Sequence, residues 1–291
     1  MRGGMRGLAD YAMSGRLQAA TVAILFGLIP GLSVISGAVV AWVTLRRGWQ
    51  DGWQILLWAL LPAALQWMMG DTSLVFTQIG VALAALLLRR LQSWQSVMVL
   101  LLALGIAVQW TLPWHGAALM KVFENAVTTL QRDGVQLQMA IDGKLVDATP
   151  AQLADAWLKF YGTYQMLMMF GCLVLARYWQ ALLYNPGGFR QEFHQLRIDP
   201  RLMAVVLVLL ALALQGVEPM NDWLFMLSLL PVLQGVAVVH ALVALRNMGT
   251  AWLVLAYLLL LVAAPAFALL GIVDSLANLR KRLADVEKKV E

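Results

Sequence analysis

The chain has 291 residues, of which 61% are hydrophobic and 13% charged, and its mean hydropathy is +0.74. Soluble domains run at about 45–50% apolar and about 25% charged, so the composition excludes an ordinary soluble globular protein and indicates an integral membrane protein. The net charge of +5 comes from Lys and Arg lying mostly in short stretches beside apolar runs. That pattern sets topology and gives no support to a nucleic-acid partner.

Apolar runs occupy residues 17–45, 53–69, 74–88, 97–112, 160–176, 202–217, 223–245 and 251–273. Each is near or above the roughly 17 residues that a tilted helix needs to cross a bilayer, so the expected fold is all-α: a polytopic transmembrane helical bundle of about eight spans over residues 1–275. Arg2, Arg6 and Arg16 precede the first run, but the later runs resemble it in composition, and it is read as part of the bundle and not as a removable leader. This run would be about 43 Å long as one straight helix, against a hydrocarbon core of about 30 Å. It carries Pro30 and Gly31 at its centre, and the last run carries Pro265. Both are expected to be either kinked single helices or broken, re-entrant hairpins, which lipid tolerates where the freed backbone is covered by protein.

Basic residues fix an expected sidedness. Arg46 and Arg47, Arg89 and Arg90, the stretch 177–201, and Arg246 follow alternate runs, so all four loops face one side, the cytoplasm by the positive-inside rule. The termini conflict: eight crossings of this polarity put both ends outside, whereas Arg2, Arg6, Arg16 and the cluster Arg280, Lys281, Arg282 argue for both inside.

Residues 113–156 form an outer segment in this reading. Leu119, Val122, Phe123, Ala126, Val127 and Leu130 repeat at helical spacing and predict an amphipathic helix on the outer surface, either a shield for the bundle or a lid over an outward cavity. In "IDGKLVDATPAQLADAW", Asp142 and Gly143 suit a turn, and Thr149, Pro150 and Gln152 predict a capped helix start. Residues 184–201, "YNPGGFRQEFHQLRIDPR", read as a cytoplasmic elbow. There Asn185 to Gly188 make a turn, Phe189, Phe193 and Leu196 share a helical face, and Asp199 with Pro200 starts the next span. Arg190, Arg197 and Arg201 are its candidate contacts to anionic lipid or a partner. In the tail, 276–291, Leu276, Leu279, Leu283, Val286 and Val290 make a two-heptad seam, a candidate for self-association or partner docking and equally a solvated helix.

Catalytic parts are missing from the sequence: His115, His194 and His240 are the three histidines, Cys172 is the single cysteine, and there is no HExxH, P-loop or nucleophile elbow. The expectation is therefore no enzyme, no metal and no cofactor. Polar residues inside apolar runs are the better candidates, because they are costly in lipid and face the protein interior or a wet path. Gln66, Gln78, Gln109, Gln165, Gln180, Gln215, Gln234, His240 and Asp274 meet that description. Gln109, Gln165, Gln234, His240 and Asp274 are the ligand-binding candidates, with interhelical hydrogen bonding as the plainer role for most of them and helix capping for Asp274. Tryptophans near run ends, among them Trp42, Trp94, Trp157 and Trp179, read as interfacial anchors.

"YNPGGFRQEFHQLRI" together with "LLGIVDSLANLRKR" resembles the YybS-like family of predicted bacterial membrane proteins of unknown function. The resemblance implies a multi-pass protein of the bacterial inner membrane, with an architecture likened to the substrate-binding subunits of energy-coupling-factor transporters. Two expectations follow: a transporter-like protein with a small-ligand pocket between helices, or a non-transporting scaffold that acts through its cytoplasmic loop and C-terminal helix.

Overall fold

The computed structural model describes residues 2–29, 31–141 and 144–282. Twelve α-helices, one 3-10 turn at Met220–Trp223 and one small hairpin account for the regular structure among them. Five helices are long and apolar enough to cross a membrane: α5 (Ser73–Leu91), α6 (Trp94–Arg132), α8 (Tyr161–Tyr184), α11 (Leu224–Leu245), which follows the 3-10 turn directly, and α12 (Ala251–Ala277). The remaining predicted runs lie in shorter or less apolar helices: α2 (Arg16–Leu28), α3 (Ser33–Arg47), α4 (Trp49–Met68) and α10 (Pro200–Leu214). Five of the eight predicted runs thus lie in helices that are candidate spans by length and composition among the described residues.

The chain divides into two compact units, residues 1–90 with 103–180, and residues 91–102 with 181–291. In the first, the run 17–45 is two helices, α2 and α3, packed as a hairpin. Pro30 lies outside the described residues, and Gly31 turns the chain at φ +81, a conformation open to glycine. The break frees carbonyls at the end of α2, and neighbours take them up: the Gln66 amide on α4 donates to Gly27 O at 2.8 Å. Ser36 Oγ donates across the hairpin to Ala23 O at 2.7 Å and accepts from Gln78 Nε2 on α5 at 2.8 Å. Because the hairpin returns, its two ends meet. Arg16 pairs with Asp51 at 2.7 Å, Arg47 donates to Met13 O at 2.8 Å, and Arg89 donates to Leu45 O. Arg16, which opens α2, therefore stands at the same end of the unit as Arg47 at the close of α3 and Arg89 in the last turn of α5.

Trp42 and Trp179 correct another expectation. Both are fully buried and lie against each other, ring centroids 5.7 Å apart, as core side chains and not interfacial anchors. Close approach between helices makes that core possible: a Cβ on Gly37 would meet Cys172 Sγ, and one on Gly80 would meet Met169 Sδ.

No break separates the predicted span 97–112 from the amphipathic helix after it. Both belong to α6, 39 residues with Pro113 inside, or about 58 Å of helix against a core of about 30 Å. Beyond it come strands β1 (Gln138–Ile141) and β2 (Lys144–Asp147), paired antiparallel; the Asp142 and Gly143 turn lies outside the described residues. Helix α7 (Pro150–Lys159) begins with the expected capping box: Thr149 Oγ1 accepts from Gln152 N, and Gln152 Oε1 accepts from Thr149 N.

In the second unit, α9 (Gly188–Gln195) is the elbow helix. It follows a turn closed by Gly188 N to Asn185 O, with Gly187 at φ +88, and leads to α10, whose N-cap Asp199 accepts from Arg201 N. Helices α11 and α12 are the principal packing pair here. Residue 263 of α12 leaves helical geometry (φ −127, ψ 35) two positions before Pro265, the kink that a proline ring imposes on the preceding turn. Tyr257 touches His240, Phe267 meets Gly235, Gly271 meets Pro231, and Asp274 bonds Gln234. The N-terminal half of α12 thus meets the His240 end of α11, and the C-terminal half meets residues 231–235, as antiparallel neighbours do. Asn278 ends α12 in the left-handed region. Of the predicted heptad seam, Leu276 and Leu279 flank this break, and Leu283, Val286 and Val290 lie outside the described residues.

Candidate functional site

Gln109 and Gln165 belong to the first unit, and Gln234, His240 and Asp274 to the second. Each unit builds its own polar network from them.

In the first unit, the network gathers where α5 and α8 begin and α6 passes its proline. Tyr161, fully buried, places its hydroxyl 3.1 Å from Thr72 Oγ1 and 3.3 Å from Ser73 Oγ. Thr72 Oγ1 lies 3.1 Å from His115 Nδ1, and His115 Nε2 lies 2.9 Å from Thr111 Oγ1. The single hydroxyl proton of Thr111 goes to Val108 O at 2.6 Å, so His115 Nε2 must be the donor to Thr111. In the neutral ring Nδ1 then accepts from Thr72, and Tyr161 donates to Thr72: one directed chain of hydrogen bonds across three helices.

The two predicted glutamines frame that chain. Gln165 Oε1 accepts from Thr77 at 2.9 Å while its amide donates to Ser73 O. Gln109 Oε1 accepts from Gly162 N at 2.8 Å and its amide donates to Leu158 O, so it stitches α6 to the joint between α7 and α8. Aromatic rings close over the top. Trp157 stacks on Phe123 at 4.8 Å and 14°, and meets Tyr161 edge-on at 5.3 Å; Tyr164 and Phe76 complete the group. Trp157, expected at the membrane interface, is the inward face of α7. Phe160, at φ −93 and ψ 0, leaves helical geometry and separates α7 from α8.

His115, Tyr161 and the three threonines were not among the sequence candidates. The available signal was Thr111 four residues before His115, a spacing that places both on one helical face.

In the second unit, Asp274 is fully buried and Arg280 nearly so. Arg280 Nη2 donates to Asp274 Oδ2 at 2.7 Å, Nε donates to Oδ1 at 3.2 Å, and Gln234 Nε2 donates to Oδ2 at 2.9 Å. The rest of the guanidinium reaches the elbow, donating to His194 O and to Leu196 O. Gln234 Oε1 accepts from Ile198 N, Ser275 Oγ donates to Ile198 O, and Arg197 donates to Ser275 O at 2.8 Å. These bonds join the elbow, α11 and the end of α12. Asp274 and Gln234 therefore fasten the elbow to α12, and Arg197 belongs to the latch, whereas Arg190 and Arg201 are exposed.

His240, the third candidate of this unit, stands apart from the latch. Its Nε2 lies 2.8 Å from the Tyr257 hydroxyl, and Phe193 of the elbow packs edge-on against its ring at 5.2 Å. The predicted apolar face of the elbow thus turns to protein, with Phe189 on Trp94, Phe193 on His240 and Leu196 buried. A shallow, half-open crevice lies beside His240, lined by Val236 and Val239 of α11 and by Leu253, Ala256, Tyr257 and Phe267 from both halves of α12. Desolvation, with the positive charges of Arg190, His240 and Arg280 nearby, pushes His194 below its ordinary value.

Among the described residues, no three His, Cys, Asp or Glu side chains gather in a group able to hold a metal ion. The all-α architecture, with five long apolar helices suited to a bilayer, is that of a multi-pass helical membrane protein. Compared with protein-family models, with curated proteins and with solved structures, the chain finds no match.

Proposed function

We propose that the chain is a multi-pass protein of the bacterial cytoplasmic membrane that acts in a transporter-like way, holding a small ligand at the Tyr161 cluster. The observation that carries this reading is the gathering of Thr72, Ser73, His115, Tyr161 and Gln165 from the start of α5, from α6 and from α8 beneath the separate helix α7. Their hydroxyl, imidazole and amide groups bond chiefly to one another across helices, so a ligand entering the cluster would have to offer groups that replace those bonds. Rings at several inclinations favour a planar ligand with a hydrogen-bonding edge. By the positive-inside reading the cluster opens outward, with α7 as its lid, and the resemblance to YybS-like proteins agrees with a substrate-binding role.

Thermal-shift titration of the purified protein with a panel of water-soluble vitamins and nucleobases tests the reading. At least one compound is expected to raise the melting temperature, and Tyr161→Phe is expected to weaken its binding about tenfold while the fold persists. A panel without any shift, or a shift that Tyr161→Phe leaves unchanged, contradicts it. The scaffold reading draws on a different feature, the latch that fixes the elbow to α12. It predicts a protein partner retained by the elbow with no small-molecule dependence.

A further inference from the structure

The latch brings two basic segments, far apart in sequence, to one place. Arg280 lies on His194 O and Leu196 O, so Lys281 and Arg282, both exposed, stand beside the elbow that carries exposed Arg190 and Arg201. Asp274 neutralises Arg280, and the other acidic residues of the elbow are Glu192 and Asp199, the latter engaged as the N-cap of α10. An excess of exposed positive charge remains.

Apolar surface lies directly beneath it. Phe193 of the elbow touches His240, and His240 is one wall of the crevice between α11 and the bent α12. His240 stands five residues before the end of α11, where a headgroup region would begin, and the crevice runs from there toward Val236 and Phe267. Its lining is apolar apart from the His240–Tyr257 pair at its mouth, and the surrounding face of α12 is exposed, with Leu261 and Val262 each more than four-fifths accessible. A positive rim above an apolar slot matches the two ends of one kind of molecule.

We propose that the elbow and this crevice form a single site for an anionic phospholipid, with the headgroup phosphate on Arg190 and an acyl chain lying along the crevice and the exposed apolar face of α12 beside it. The charge complementarity selects an anionic headgroup over a zwitterionic one, and each Lys or Arg near such a surface is worth about a fivefold change in binding. The crevice selects a lipid over a free anion. The site depends on these helices spanning a bilayer and not on whether the Tyr161 cluster binds a ligand.

The test is native mass spectrometry of the full-length protein released from mixed micelles of phosphatidylglycerol and phosphatidylcholine. One phosphatidylglycerol is expected to stay bound with a preference of about tenfold or more. Arg190→Gln is expected to reduce that preference about fivefold, and Ala256→Trp, which fills the crevice, to remove the retained lipid. Equal retention of the two lipids by the unmodified protein overturns the proposal whatever the variants do. Displacement of phosphatidylglycerol by millimolar inorganic phosphate also overturns it, since that would make the site an anion site without a chain slot.

Discussion

Gly235→Ala and Gly271→Ala are each expected to lower the stability of the protein by about 3 kcal/mol, the upper part of the usual range for overpacking a close contact. A Cβ on Gly235 would stand 1.9 Å from Phe267 O, and one on Gly271 would stand 2.0 Å from Pro231 O. Both obstacles are backbone, so no rotamer change relieves them. The two helices would have to separate where α12 returns to α11, loosening the latch and the crevice together. Gly171→Ala on α8 is the control: nothing lies within 4 Å of its Cβ, and the better helix propensity of Ala is expected to leave stability level or slightly raised. Thermal melts of the three variants in detergent check this. Full tolerance at 235 and 271 would mean that the helices do not meet backbone to backbone.

Asp274→Ala is expected to cost about 3–5 kcal/mol, because it leaves the Arg280 guanidinium buried against the elbow carbonyls without its counter-charge. Replacing both partners, as Asp274→Leu with Arg280→Met, is expected to be milder than the single change, since no charge is then stranded. Limited proteolysis at the elbow should track the same order, with the single variant cut fastest at 184–201. Equal melting of Asp274→Ala and the unmodified protein would show that the pair does not hold the elbow.

The latch also shows what a sequence conceals. Local features were legible because their causes lie within four residues: the Thr149–Gln152 capping box, the Asp199–Pro200 helix start and the glycine turn before α9 all form as their residues suggest. Pro30 and Gly31 marked where the first run departs from a straight helix, but not whether it would kink or reverse. Asp274 and Arg280 are different. Six positions apart on a regular helix, they face different directions, and they meet because Asn278 ends the helix in the left-handed region and turns the chain back. Asn followed two residues later by Arg was the available signal.

The five ligand candidates illustrate a second limit. Intramembrane polarity correctly marked residues that face protein, but it could not say which helices would meet. Gln234 and Asp274 came together with the elbow backbone, Gln165 joined Thr77 and Ser73, and His240 found Tyr257. Tryptophan position misled for a related reason. Residues near run ends were expected at an interface, yet α2 and α3 fold back as a hairpin, and Trp42 on α3 faces Trp179 in the interior. Amphipathic spacing after Pro113 likewise signalled a helix without showing that it continues α6.

The central claim, that the Tyr161 cluster holds a small ligand beneath α7, is tested most directly by native mass spectrometry of the protein taken from its own membrane. The unmodified protein is expected to carry one small-molecule adduct besides lipid, and Trp157→Ala, which removes the ring covering Tyr161, is expected to lose it while keeping the same lipid adducts. Spectra with lipid adducts alone, identical for the two proteins, would contradict the claim.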